Sequence, residues 1–253
     1  MESGVVKIER RILSPTAINT YLSCPRKYYL RYIRKLRTKS SIHLIRGNLI
    51  HKAIQAFHKE CARGPPNLSE TGISESLLKT FNRLWLESQN DLGALGLSQD
   101  ELEEYHDDSE RMLLNYACWF TRQDTPPLVN YSEVKIFSDY LQFMGIIDAV
   151  RINGNEVTLI DYKTSKNPTV TDEIMRQAVL YALLYKDRYN RAPDVVCIHF
   201  LKNPGDPIAI HIDELFLEYA EILLESVREK TRSKEENAYH CTCGGYCERD
   251  FTN

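Results

Sequence analysis

The chain has 253 residues, 43% of them hydrophobic and 26% charged, with a formal net charge of −3. That length can bury a proper core, in one large domain or two small ones, and the near-balanced charge excludes a global pull on nucleic acid, so any such binding must rest on a local patch. No apolar run approaches the roughly 20 residues of a membrane span, and charges at Glu2, Lys7 and Glu9 leave no signal-peptide core, so a cytoplasmic protein with no membrane partner is expected.

Residues 1–13 read as a short tail or an edge strand. Ser14-Pro15 is a helix start, with Ser as N-cap and Pro at the first helical position; this helix should stop near Ser23, and Cys24-Pro25 should open another. From Arg26 to Lys39 there are seven basic residues and no acidic one, with Tyr28, Tyr29 and Tyr32 interleaved. Cations that track a phosphate backbone and rings that stack on bases make a single-strand-binding surface, with Arg26, Lys27, Tyr28, Arg31, Arg34 and Lys35 as its candidates. A solvated amphipathic helix with buried tyrosines presents the same pattern. Arg46-Gly47 leads into a helix whose Ile50, Ala53, Ile54 and Phe57 form a core-facing stripe, with His51 beside it. Gly64-Pro65-Pro66 breaks the chain. Two helices follow, Ser74 to about Gln89 and Ser98 to about Arg122, the second opened by a capping-box pattern at Ser98 and Glu101.

After Thr125-Pro126-Pro127 the hydrophobic period changes to two. Val129 to Phe137 reads as a strand containing Glu133, and Tyr140 onward as a strand carrying Asp148. Asn153-Gly154 then marks a tight hairpin turn into Val157 to Ser165. Thr171 to about Arg188 is a helix with Gln177 and Tyr181 four apart on one face. Val195 to Leu201 reads as a buried strand, Ile208 to Ile212 as its partner, and Asp213 caps a last helix to about Ser233. Cys61, Cys118 and Cys197 fall within apolar patterns as packed thiols.

The hairpin concentrates the chemistry. With Asn153-Gly154 as the turn, Asp148 lies opposite Leu159 and diagonal to Asp161, roughly 7–8 Å away, so Asp148, Asp161 and Lys163 share one sheet face. Two such carboxylates can share a hard divalent cation, Mg²⁺ or Mn²⁺, and Lys163 can hold an attacking water or steady charge on a phosphoryl oxygen. A surface hairpin with solvated polar residues would alternate in the same way. Near the C-terminus, His240-Cys241-Thr242-Cys243-Gly244-Gly245-Tyr246-Cys247 packs three cysteines into seven positions, a density that means a soft metal or an iron–sulfur cluster. Zinc with His240 as fourth ligand is one reading of that segment.

Asp148 followed by Asp161-Tyr162-Lys163 resembles the catalytic signature of the PD-(D/E)XK nuclease superfamily, and Gly145-Ile146-Ile147-Asp148 with Asp161-Tyr162-Lys163-Thr164 is similar to its RecB-like exonuclease branch. That resemblance implies an α/β fold with a restriction-endonuclease-like central mixed β-sheet flanked by helices. Its divisions would be an N-terminal helical region over 1–127, the nuclease core over 128–237 and a cysteine-rich tail over 238–253. It implies metal ligation by His51 (in Arg46-Gly47-Asn48-Leu49-Ile50-His51), Asp148, Asp161 and the Tyr162 backbone carbonyl, with Glu133 as a secondary acidic ligand. It makes Asp148, Asp161, Lys163, Gln177 and Tyr181 catalytic, the last two as a Gln-x-x-x-Tyr motif that contacts DNA. Ser23-Cys24-Pro25-Arg26-Lys27-Tyr28-Tyr29 resembles the N-terminal motif of members whose 4Fe-4S cluster takes one distant cysteine, here Cys24, with Cys241, Cys243 and Cys247. The tail departs from the usual spacing, being Cys-x-Cys-x-x-x-Cys. The implied activity is Mg²⁺- or Mn²⁺-dependent exonucleolytic hydrolysis of single-stranded DNA or a free DNA end. It would serve in repair and recombination or in CRISPR spacer acquisition, with helicase or CRISPR-adaptation partners. The alternative is a catalytically weak DNA-binding or scaffold subunit that works only within a partner complex.

Overall fold

The computed structural model describes residues 11–64 and 67–251. Most of the expected tail or edge strand, and the Pro65-Pro66 break, lie outside the described residues. Five strands form one mixed sheet: β1 (Tyr131–Ser138), β2 (Phe143–Asn153), β3 (Glu156–Lys163), β4 (Val195–Phe200) and β5 (Ile208–His211), side by side in sequence order. Neighbours are antiparallel except β3 and β4, which run parallel. A parallel pair needs a crossover, and helix α7 (Asp172–Tyr189) supplies it.

The remaining helices are α1 (Pro15–Ser23), α2 (Pro25–Tyr28), α3 (Ile42–Arg63), α4 (Glu70–Glu87), α5 (Gln89–Gly93), α6 (Gln99–Thr121) and α8 (Glu214–Lys230). They sort onto the two sheet faces by the period-two rule. On β3, Val157 and Leu159 pack with α1, α2, α7 and α8, whereas Ile160 and Tyr162 pack with α3, α4 and α6. Both faces of β3 are therefore covered, and Asp161 is buried along with its apolar neighbours. Helix α7 is buried continuously from Ala178 to Tyr185, as a crossover helix covered by other helices should be. Among the described residues, no helix is long and apolar enough to cross a membrane.

Most caps fall where the sequence places them. Ser14, Ser98, Thr171 and Asp213 each accept a hydrogen bond from the first turn of their helix, and Ser98 with Glu101 closes a capping box. Two helix starts differ from expectation. Helix α3 starts at Ile42 under a Ser41 cap, one turn ahead of Arg46-Gly47, and α4 starts at Glu70 under Ser69 rather than at Ser74. After α2 the chain continues as a π-helical turn over Tyr29–Ile33, closed by the Arg34 N–H donating to the Tyr29 carbonyl at 2.9 Å.

The third difference bears on the site. Asn153 pairs with Glu156, so the central turn residues are Gly154 and Asn155, not Asn153 and Gly154. Gly154 takes φ +57°, the left-handed backbone that a primed hairpin turn demands at its first central position. Asn153 is thereby pushed back to the strand end. The register slips by two, and one step past the last pair, Ala149 with Ile160, Asp148 stands level with Asp161 rather than with Leu159. A slip of two keeps every side chain on its face.

Candidate active site and cysteine cage

Strands β2 and β3 part where the acidic residues begin. The ladder ends at Ala149 and Ile160, and two residues further along β3 the Tyr162 N–H donates to Asp148 Oδ2 at 2.9 Å. The Asp148 carboxylate thus sits wedged in the mouth of the fork. On its other flank, Ser132 pairs with Ala149 and Val134 with Ile147, which sets Glu133 across from Asp148. Glu133 takes φ +53°, a conformation that costs an ordinary residue roughly 1 kcal/mol or more and that persists where surroundings demand it. One oxygen each from Glu133 and Asp148 and a ring nitrogen of His51 lie within 4.8 Å of one another. They border a cavity of about 10 Å³, the room of a single water-sized occupant.

His51 reaches this point because α3 packs Ile50, Ala53 and Ile54 into the core and leaves the next position half-buried at the fork. Its Nε2–H donates to the Tyr162 carbonyl at 2.9 Å, and Nδ1 lies 3.3 Å from Asp148 Oδ1. Burial opposes charge on the ring, but the Asp148 carboxylate outweighs it and raises the His51 pKa. Helix α3 is itself clamped by Arg46, a buried guanidinium 2.7 Å from Asp108 on α6, while Lys202 beyond β4 meets the same carboxylate at 2.7 Å. That clamp escaped the sequence reading, since nothing in the spacing of Arg46, Asp108 and Lys202 announces a shared contact.

A second set lies alongside. Lys163 Nζ stands 2.6 Å from Asp161 Oδ2 and donates to Gln177 Oε1 at 2.7 Å, and the Gln177 amide donates to the Tyr181 hydroxyl at 3.0 Å. Buried Oδ2 has the Lys163 ammonium as its partner, as an ion pair outside ideal hydrogen-bond geometry. Burial raises the Asp161 pKa to about 6, with Lys163 pulling down and Asp148 pushing up. Burial likewise raises the Tyr181 hydroxyl. Gly145 on β2 makes room for this row: a Cβ there would come within 3.0 Å of both the Tyr181 ring and Leu184.

The expected site residues Asp148, Asp161, Lys163, His51, Tyr162, Gln177 and Tyr181 therefore converge, with one redistribution. Glu133, given second rank by the sequence, joins His51 and Asp148, while Asp161 turns to the Lys163 amine. The oxygen and nitrogen donor set of His51, Glu133 and Asp148 suits a hard divalent cation. A larger cleft against Glu60, Glu75, Lys79 and Arg83 lies away from these residues, on solvated helix faces.

The basic segment is corrected in part. Tyr28 is fully buried and stacks on Tyr239 with ring centres 6.0 Å apart, so no base can reach it. Arg26 is paired with Glu236 and Glu248, and Lys27 with Asp250, all from the C-terminal segment. These residues dock the tail. Arg31 lies over the Tyr32 ring, and Arg34 and Lys35 are exposed.

That docking closes the cysteine cage. Cys24, Cys241, Cys243 and Cys247 bring their sulfurs within 4.8 Å of one another, and His240 is not among them. Cys24 is held between α1 and α2, its N–H on the Thr20 carbonyl at 3.0 Å. The Thr242 hydroxyl donates to the Ser23 carbonyl at 3.0 Å. Burial would raise the Cys24 thiol, but hydrogen bonds from the backbone of Thr242 and Lys27 lower it to about 6. Cys61, Cys118 and Cys197 are half-buried and stand outside the cage.

A family model described as the PD-(D/E)XK nuclease superfamily matches residues 12–249. No curated protein matches the chain. Among solved structures, the chain is similar to a crystal structure named "Putative exonuclease" from Eubacterium rectale, at TM-score 0.59 and 10% identity, over 100% of this chain and 94% of that one. At that identity the likeness is one of fold.

Proposed function

The chain belongs to the PD-(D/E)XK nuclease superfamily, and from that footing we propose that it is a divalent-metal-dependent DNA exonuclease of the RecB-like branch, working on single-stranded DNA from a free end. One observation carries this reading. The carboxylate and imidazole donors at His51, Glu133 and Asp148 adjoin a buried acid–amine pair, Asp161 with Lys163, whose amine is held in turn by Gln177. A binding module gains nothing from crowding three carboxylates, which repel one another unless a cation lies between them.

His51, Glu133, Asp148 and Asp161 would hold the metal, with the Tyr162 carbonyl completing the shell. A bound Mg²⁺ or Mn²⁺ supplies Lewis-acid polarisation of a phosphoryl oxygen and a water acidified toward neutral pH. The protein's own part is positional. Asp161 and Gln177 fix the Lys163 amine from two sides, so it can donate to the attacking water or to the oxygen on which charge grows, with no reorganisation at the moment of reaction. Tyr181 orients Gln177 through its hydroxyl. Exposed Arg34 and Lys35 offer phosphate contacts for the incoming strand. A role in repair and recombination, or in CRISPR spacer acquisition, would bring a helicase or an adaptation protein as partner.

The test uses end-labelled linear and circular single-stranded DNA with Mn²⁺, comparing the parent with Asp161→Asn and Lys163→Ala. Loss of linear substrate alone, abolished by either substitution, is expected. Equal digestion by the variants refutes the catalytic assignment, and intact DNA that stays bound to the parent makes the chain a scaffold subunit instead.

A further inference from the structure

We propose that the cage of Cys24, Cys241, Cys243 and Cys247 holds one tetrahedral zinc ion, and not the iron–sulfur cluster that the family resemblance implies. The argument is one of size. Thiolates bound to a single zinc at about 2.3 Å stand about 3.8 Å apart along the edges of the tetrahedron. The Cys241 sulfur lies 3.6 Å from that of Cys243 and 3.6 Å from that of Cys247, and all four sulfurs fall within 4.8 Å. A four-iron cluster places one iron beneath each thiolate around a shared sulfide core, so its thiolates must stand on the order of 6 Å apart. No such core fits between these four.

The backbone that carries the cage is tied down on both sides. Cys24 is buried and pinned by backbone hydrogen bonds on both sides, its N–H to Thr20 and its carbonyl accepting from Tyr28 at 3.1 Å. The opposing loop is folded onto its own sulfurs: the Gly245 N–H donates to Cys241 Sγ at 3.3 Å and the Cys247 N–H to Cys243 Sγ at 3.1 Å. Gly244 and Gly245, at φ +65° and +86°, make that tight wrap possible, and only glycine takes both positions without strain. Outside the loop, Arg26 reaches Glu248 and Lys27 reaches Asp250, fixing the loop against α2. The compressed Cys-x-Cys-x-x-x-Cys spacing is thus the sequence mark of a smaller occupant.

The chemistry favours zinc among tetrahedral thiolate ions. Cys241 is exposed to solvent, and a d¹⁰ ion without redox states tolerates water and oxygen at such a site. The fourth ligand is Cys24, and His240 stays outside, so the ion joins the first helices of the chain to its last turn.

The readout is metal content and does not depend on nuclease activity. Protein expressed with both iron and zinc supplied, and purified without oxygen, should contain one zinc per chain, no acid-labile sulfide and no visible charge-transfer absorbance. Cobalt substituted for zinc should give the intense spectrum of a tetrahedral all-thiolate site. His240→Ala should keep its zinc, while Cys24→Ser and, at an exposed ligand where folding is not at stake, Cys241→Ser should weaken zinc retention against a chelator by more than about tenfold. Brown protein with about four iron and four sulfide per chain overturns the proposal, as does a single iron, loss of zinc from His240→Ala, or a chain that binds neither zinc nor cobalt.

Discussion

Asp161 carries its charge against the interests of the fold, and that can be measured. It is buried on a central strand, and burial raises its pKa from 3.8 to about 6 even with the Lys163 amine 2.6 Å away. An acid whose folded pKa exceeds its unfolded one binds its proton more tightly in the folded state. Its contribution to stability is therefore whole below about pH 4, declines as pH rises toward 6, and stays lost above that. The difference between 3.8 and about 6 corresponds to roughly 3 kcal/mol. Asp161→Asn keeps the shape and removes the charge. With a chelator present at pH 7, this variant should be more stable than the parent by roughly 3 kcal/mol, which for a chain of this size raises the unfolding midpoint by roughly 6–12 °C. The gap should close near pH 4. Lys163→Met should do the reverse and lose about 3 kcal/mol at pH 7, because it leaves the carboxylate unpaired, and adding Asp161→Asn to it should restore the loss. Thermal and urea unfolding followed by circular dichroism at the two pH values would decide the matter. An Asp161→Asn protein no more stable than the parent at pH 7, or a gap indifferent to pH, would refute the reasoning.

Three other outcomes are expected. Gly145→Ala drives a methyl to within 3.0 Å of Tyr181 and Leu184; it should cost about 1–3 kcal/mol in urea unfolding and slow cleavage by displacing Tyr181 from Gln177, whereas a stable variant of parental rate would show that the row has slack. His58 and His199 are buried, and burial lowers each pKa to about 4 from 6.5. Unfolded chains bind protons first, so each should forfeit roughly 3 kcal/mol of stability as pH falls from 6.5 to 4, and His58→Gln should flatten the acid limb of the stability profile. For DNA binding, Tyr28→Phe should change nothing, while Arg34→Ala and Lys35→Ala should each lower the salt dependence of single-strand binding by about one ion; an unchanged slope would remove this segment from the DNA path.

The distribution of what the sequence disclosed follows the range of the forces involved. That Asp148, Asp161 and Lys163 share a face depends on a period of two, which is local, and it survived a turn placed one residue early because the resulting slip was even. Which atoms meet on that face is a matter of closure. Asp161 faces an amine and Glu133 faces His51 because β1, β2 and α3 arrive together at one fork, with Glu133 in a left-handed backbone conformation. The basic segment went astray for the same reason. Its tyrosines and first two cations look free along the sequence, yet Tyr239, Glu236, Glu248 and Asp250, more than 200 positions away, claim Tyr28, Arg26 and Lys27. The cage uses that long connection twice. It needs Cys24 from one end of the chain and the glycine-wrapped loop from the other, and the ion pairs of Arg26 with Glu248 and Lys27 with Asp250 tie that loop to α2.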